Sequence, residues 1–311
     1  MTSSPDSTTE RPYVLGTEDE EIARLALQHD RWREQARAIW KRAGFGPGRT
    51  LLDLGCGPGF TSLDLARVVA PRGRVIAVDR SERFVAHLRE RARSLGVARA
   101  LETRLAMAEE LDLPASSLDG AFTRWVLAWM REPERVLAAI ARALRPGAAF
   151  AIQEYVDYGS MRVAPRSELF ERVVAAIIES FRRSDADIDV GCRLPALLDE
   201  VGLCVTYVEP VARIARPGDP LWAWPDAFYR NYVPKVVERG LLAAADERAF
   251  FAEWDRRSRD PRSCWLAPTV VDVIAVKPRP IPRAARGATP GSRSKRAARS
   301  RRRPGPTAPR R

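Results

Sequence analysis

The chain has 311 residues, 45% of them hydrophobic, with 52 basic and 40 acidic side chains. That length and apolar fraction allow a real core, in one large domain or in one domain with a cap. Its net charge of +12 does not describe the body: residues 278–311 hold twelve Arg or Lys and no acid, so the other 277 residues balance and are not an evidently basic nucleic-acid binder.

Residues 1–17 read as a flexible N-terminus without a signal peptide. From Glu18 to Ala43 the pattern predicts a helical cap, with Ile22, Leu25, His29, Trp32, Ala36 and Ile39 on one stripe. Gly44, Gly46, Pro47 and Gly48 end it. Strands are then expected at Thr50–Leu54, Arg74–Asp79, Ala100–Met107, Gly120–Trp125 and Ala148–Glu154. Helices fall between them near Ser62–Val69, Ser81–Leu95 and Glu134–Leu144, with a short turn from Leu111 and another at Pro146–Gly147. This alternation predicts a mostly parallel sheet with helices on both faces. Residues 156–190 and 215–262 break the rhythm as helical insertions, the first with a helix near Ser167–Arg183. Leu194–Val201 is a further helix, Cys204–Val208 a sixth strand and Thr269–Val276 a last one. Residues 278–311 read as a disordered basic tail.

The motif with the most chemistry is LLDLGCGPGF, Leu51–Phe60. Leu51, Leu52 and Leu54 suit a buried strand, while Gly55, Gly57 and Gly59 permit a tight turn and close approach to a ligand. Asp79 ends the next apolar run, placed to accept hydrogen bonds from ribose hydroxyls. The spacing G-x-G-x-G differs from the dinucleotide pattern G-x-G-x-x-G, and Pro58 removes an amide donor that a phosphate would use. No lysine follows as a P-loop requires. A nucleoside without a phosphate fits better.

With these residues the stretch from Leu51 to Pro278 resembles the class I S-adenosylmethionine-dependent methyltransferases, especially the small-molecule enzymes. The resemblance implies an α/β, Rossmann-like fold: a seven-stranded, mostly parallel sheet whose last strand is antiparallel, with helical lid insertions, in a domain spanning residues 44–277. It implies S-adenosyl-L-methionine as cofactor. Asp53, Gly55, Cys56, Gly57 and Gly59 would cradle its methionine part, Asp79 with neighbouring Arg80 the ribose, and Met107, Ala108 and Glu109 the adenine. The family often has Asp or Asn where this chain has Met107, so adenine recognition would fall to backbone amides near Ala108 and Glu109. Arg124 and Trp125 would face the methionine end, and Tyr13 could fold over the cofactor. Arg124 reads equally as a salt-bridge partner of a neighbouring acid.

Methyl transfer from a sulfonium is an in-line displacement that depends mainly on alignment and exclusion of water. A base helps with a phenol or alcohol. Candidates are Glu154, Tyr155 and Tyr158 at the end of the fifth strand, and His29 on the first helix. Each reads alternatively as structural, as do the aromatics of residues 215–262, which can grip a flat acceptor or form the core of lid helices. His87 reads as structural.

The expected function is methylation of an O or N atom of a small molecule, a secondary metabolite or quinone-like compound. After the fourth strand TRWVLAWM offers no N/D-P-P-Y-like motif. The alternatives are an RNA methyltransferase that uses the tail, and a non-catalytic cofactor-binding scaffold. No apolar run reaches the roughly 18 residues needed to span a bilayer. Cys56, Cys192, Cys204 and Cys264 form neither a C-x-x-C nor a metal spacing, so free thiols in a reducing cytoplasm and no metal are expected. The chain is expected to be a monomer or a homodimer.

Overall fold

The structure is a computed structural model described over residues 15–280; residues 1–14, Tyr13 among them, and the tail from Ile281 onward lie outside the described residues. The chain runs α1 (Asp19–Arg42), β1 (Thr50–Leu54), α2 (Phe60–Val69), β2 (Arg74–Asp79), α3 (Glu82–Ser94), β3 (Leu101–Leu105) and β4 (Leu118–Arg124). It continues with α4 (Pro133–Ala143), β5 (Leu144–Asp157), β6 (Arg162–Ala164), α5 (Glu168–Arg182), α6 (Leu194–Glu200) and β7 (Cys204–Val211). Then come β8 (Ile214–Ala215), α7 (Ala223–Glu238), α8 (Ala244–Arg257), β9 (Cys264–Leu266) and β10 (Thr269–Val276).

Seven strands form one sheet in the order β3-β2-β1-β4-β5-β10-β7. The first five pair in parallel, and β10 is antiparallel to both β5 and β7. This is the seven-stranded, Rossmann-like class I methyltransferase arrangement expected from the resemblance. The inner strands are continuous apolar runs because helices cover both faces: Leu51, Leu52 and Leu54 of β1 and Val75–Val78 of β2 are buried.

Local chemistry sets the helix starts. Ser81 and Ser167 accept from the amides of Phe84 and Phe170, capping α3 and α5. Pro133 opens α4, where a missing N–H costs nothing. Gly59, at φ 89°, caps α2 in the left-handed region. Along α1, Trp32, Ala36, Ile39 and Trp40 are buried, Trp40 edge-on to Phe122 of β4.

The structure differs from the sequence pattern at strand ends. β3 is shorter than expected, and a 3-10 turn, Ala108–Glu110, takes the place expected from Leu111. β5 begins four residues early, and the Pro146–Gly147 turn is a bulge within it: Leu118 pairs with Leu144, but Gly120 pairs with Ala149. A second sheet, β6-β9-β8, ties both insertions together. Its strands of two or three residues are too short for an alternating pattern to betray them. Among the described residues no helix is long and apolar enough to cross a membrane.

Candidate active site

A cavity of about 230 Å³ lies over the carboxyl ends of β1, β2, β4 and β5, between α1 and α7. One end is the glycine loop. The Cys56 amide donates to the Val78 carbonyl (3.0 Å), the Gly57 amide to Asp79 Oδ2 (2.8 Å) and the Gly59 amide to the Cys56 carbonyl (3.0 Å). Pro58 has no N–H. Residues 56–59 therefore leave no amide donor for a phosphate. Their shape is fixed by close contact: a Cβ on Gly55 would fall 2.4 Å from Val126, and one on Gly59 2.3 Å from Leu88. A Cβ on Gly57 would meet no atom within 4 Å, so the loop opens there into empty space.

Beside the loop lie buried ionisable groups. Asp79 accepts from the amides of Gly57 on one carboxylate oxygen and Ser81 on the other, with the Arg80 amide also directed at it, and the carboxylate keeps lone-pair room for a hydroxyl. Asp53 accepts from Ser62, and burial pushes its pKa up to about 7, with help from Asp79 and against the Ser62 hydrogen bond and Arg124. Burial lowers Arg124 to about 10, opposed by Asp53, Tyr155, Asp272 and Asp64. Its Nη2 lies 3.2 Å from His29 Nδ1 and 3.2 Å from Thr61 Oγ1, while Nη1 is buried without a hydrogen-bond partner. His29 Nε2 lies 3.2 Å from Asp64 Oδ2.

The other end is aromatic. Trp125, at φ 55°, is held by the hydrogen bond its amide donates to the Gln153 carbonyl and stacks on Tyr155 (5.4 Å) and Trp224 (6.0 Å). Trp32 meets Trp125 and Trp224 edge-on. Tyr155 and Tyr158 are edge to face, as are Tyr158 and Phe181. Such pairs contribute about 0.5–1.5 kcal/mol each beyond their buried area, so they fix ring orientation as well as fill space.

Residues 52–152 match the family model of the methyltransferase domain. The chain carries a class I S-adenosylmethionine-dependent methyltransferase domain. It is 29% identical to the methyltransferase GfsG of Streptomyces halstedii over 213 residues, 67% of this chain and 70% of that protein. It is 35% identical to a 2-phytyl-1,4-naphtoquinone methyltransferase of Synechococcus elongatus over 124 residues, 40% of this chain and 52% of that one. The chain spans about half the length of many of the curated relatives it matches. In fold it is similar to the [4+2]-cyclase SpnF, with a TM-score of 0.53 and 21% identity over 79% of this chain and 81% of that one. A fold shared with a cyclase does not by itself assign a reaction.

In this methyltransferase domain, Asp53, Gly55, Cys56, Gly57, Asp79, Arg80, Met107, Ala108, Glu109, Arg124 and Trp125 all line the cavity. Gly59 stands behind the loop against Leu88. The Cys56 thiol is pushed well up by burial and is inert. His29, Tyr155 and Tyr158 line the cavity too. Glu154 does not. Its Oε1 accepts from the amides of Val126 (2.7 Å) and Leu127 (2.8 Å), tying β5 to the segment after β4. Burial raises it to about 8 despite these donors. Tyr13 lies outside the described residues.

Sequence reasoning passed over Arg24, Gln28, Phe60 and Thr61, which also line the cavity, as does Trp224 from the aromatics expected in residues 215–262. Arg24 is paired bidentately with Glu21 (both 2.7 Å) and donates to Gln28 Oε1 (3.0 Å), which also accepts from Trp224 Nε1 (3.0 Å). Arg24 and Gln28 flank the apolar stripe of α1 at an i, i+4 step, and their polarity disguised them as solvent-facing.

Proposed function

We propose that this chain binds S-adenosylmethionine at the glycine-loop end of the cavity. Its methyl group passes to an O or N atom of a small, flat, largely apolar acceptor at the aromatic end. The observation that carries this reading is the continuity of the two ends in one cavity. The residues present fit the cofactor. The cradle at Gly57 is open, Asp79 keeps lone pairs for a diol, residues 56–59 spare no amide for a phosphate, and the buried Arg124 Nη1 is orphaned. Met107 at the adenine end leaves recognition there to the main chain near Ala108 and Glu109.

When bound, the cofactor supplies an electrophilic methyl group on a good leaving group. The chain's own residues then align the acceptor and exclude water. Trp125, Tyr155 and Trp224 stack against the acceptor ring, and α1 and α7 roof it. Burial raises the Tyr158 phenol well above its ordinary range, so it serves as a hydrogen-bond donor and not as a base. A relative named for a naphthoquinone acceptor supports a flat quinone-like or secondary-metabolite substrate.

The described residues that line the cavity reach it from several elements of one chain, which suits either a monomer or a homodimer. The described cysteines are free, which suits a reducing compartment such as the cytoplasm. Removing residues 278–311 and measuring RNA binding tests the alternative role for the basic tail. To test the main proposal, the chain is incubated with methyl-labelled S-adenosylmethionine and a panel of flat phenols, quinols and aryl amines. Label appearing in an acceptor, and lost in Asp79→Asn, supports it. Failure to bind the cofactor contradicts it.

A further inference from the structure

A guanidinium donates hydrogen bonds and accepts none. Arg124 Nη2 therefore donates to His29 Nδ1, so Nδ1 carries no proton. The remaining ring proton belongs on Nε2, where it is donated to Asp64 Oδ2. Asp64 is held in place by Arg33 Nε (3.1 Å) and Arg67 Nη1 (2.8 Å), with Arg37 at 3.8 Å. Thr61 Oγ1 takes a second bond from Arg124 Nη2. Three elements, α1, α2 and β4, thus fix one nitrogen of the guanidinium. The other, Nη1, is buried at the cavity wall with no partner, and an unpaired buried cationic donor is costly. A carboxylate oxygen is the ligand chemistry that such a charged, unpaired donor suits best.

We infer that His29 is a positioning residue: as the neutral tautomer protonated on Nε2, it holds Arg124 so that Nη1 receives a carboxylate in the cavity. This rests on the proposed cofactor site, where the amino-acid end of S-adenosylmethionine carries a carboxylate. An acidic acceptor is the other source of the same chemistry. The assignment removes His29 from the role of general base, because both ring nitrogens are committed.

Four charged or polar groups face the ring: Asp64 and Thr61 from α2, Arg33 from α1 and Arg124 from β4. Burial lowers the His29 pKa from 6.5; Asp64 opposes this through its hydrogen bond and charge, and Arg124 and Arg33 add to it. Protonation would turn Nδ1 into a donor aimed at a guanidinium and release Arg124. Carboxylate affinity therefore falls at acid pH, below the ordinary histidine range, where the ring takes up its second proton. Asp64 stays ionised throughout: burial alone would raise it, but His29, Arg33 and Arg37 together bring it to about 2. Asp53, raised by burial to about 7, is held down in part by the Arg124 charge, so pH profiles are compared between wild type and the His29 variants, which keep that charge.

The test is calorimetry on the full chain with S-adenosylhomocysteine, which has the carboxylate, and 5′-methylthioadenosine, which lacks the amino-acid part. His29→Leu and Arg124→Gln are expected to lose affinity for the first by roughly tenfold or more, as for a charge-assisted bond, and for the second by less than about twofold. His29→Asn, which returns an acceptor near the Nδ1 position, recovers part of the loss and lacks the decline at acid pH. In the wild type at pH 7.5, ¹⁵N spectra show His29 protonated on Nε2; with only His29 and His87 in the chain, the signals are assignable. An unchanged S-adenosylhomocysteine affinity with a raised KM for an acidic acceptor in both variants supports the inference with the acceptor as the carboxylate's source. Equal losses for both nucleosides, or an Nδ1-protonated ring, overturn it. A wild type that binds neither nucleoside overturns the cofactor reading itself.

Discussion

The two ends of the cavity are built on different principles. At the glycine-loop end the ligand surface is mostly main chain, set by positive φ at Gly55, Gly57 and Gly59 and by contacts of a few ångströms with Val126 and Leu88. All of it comes from residues close to the ends of adjacent parallel strands. At the aromatic end the surface is side chains from α1, β5, α7, β9 and the segment after β4, with Gln28 and Trp265 lying 237 positions apart. The first end is rigid and suited to one invariant ligand. The second rests on insertions and a small second sheet, where substitution alters the acceptor without disturbing the cofactor.

Paired glycine substitutions separate folding from binding at the first end. In Gly59→Ala the new Cβ meets Leu88 Cδ1 at 2.3 Å and Leu88 Cβ at 2.7 Å, at φ 89°. It should lose about 2–4 kcal/mol of stability in a urea melt. Gly57→Ala meets nothing and carries only the cost of its φ of 54°, about 1–2 kcal/mol. It should instead lose S-adenosylhomocysteine affinity by roughly tenfold, because its Cβ occupies ligand space. Wild-type affinity in Gly57→Ala would mean that the ligand lies elsewhere.

The aromatic end is probed by Trp224→Phe, which keeps a ring but gives up the indole bond to Gln28. The expected result is an acceptor KM raised by roughly threefold to tenfold, with cofactor affinity unchanged. A fall in cofactor affinity instead would erase the division between the ends.

The smallest effect concerns Glu154, which belongs to neither end. At neutral pH Glu154→Gln keeps the acceptor for Val126 and Leu127, so activity should stay within about twofold. The folded-state pKa, about 8, is raised from 4.5. Its stabilising contribution is therefore complete below pH 4.5 and declines as pH rises toward 8. The Gln variant does not titrate, so its melting temperature relative to wild type should climb between pH 5 and pH 8 and then level. A constant difference across that range would show that burial does not hold the carboxyl neutral.

The contrast between the ends also explains what the sequence could convey. Glycine spacing, Pro58 and Asp79 are legible because the turn, the missing amide and the strand-end acid are properties of neighbouring residues. The aromatic box is not, since stacking of Trp125 on Tyr155 and Trp224 depends on how β5 and α7 meet. Glu154 and Tyr155 show the limit most simply. Both lie near the carboxyl end of the fifth strand, yet alternation sends them to opposite faces, and only Tyr155 reaches the cavity. A strand one residue out of register would have exchanged them. His29 lay on the predicted stripe, but its tautomer depends on Arg124, 95 positions away.

The division of the cavity is tested most directly by nuclear magnetic resonance on the full chain labelled with ¹⁵N at glycine and tryptophan, titrated with S-adenosylhomocysteine. The account predicts saturable shifts of the Gly55 and Gly57 amides with the Trp224 and Trp265 indole signals nearly still. No saturable change at Gly57 up to about 1 mM ligand would contradict it, since even weak specific binding of about 4 kcal/mol would show at that concentration.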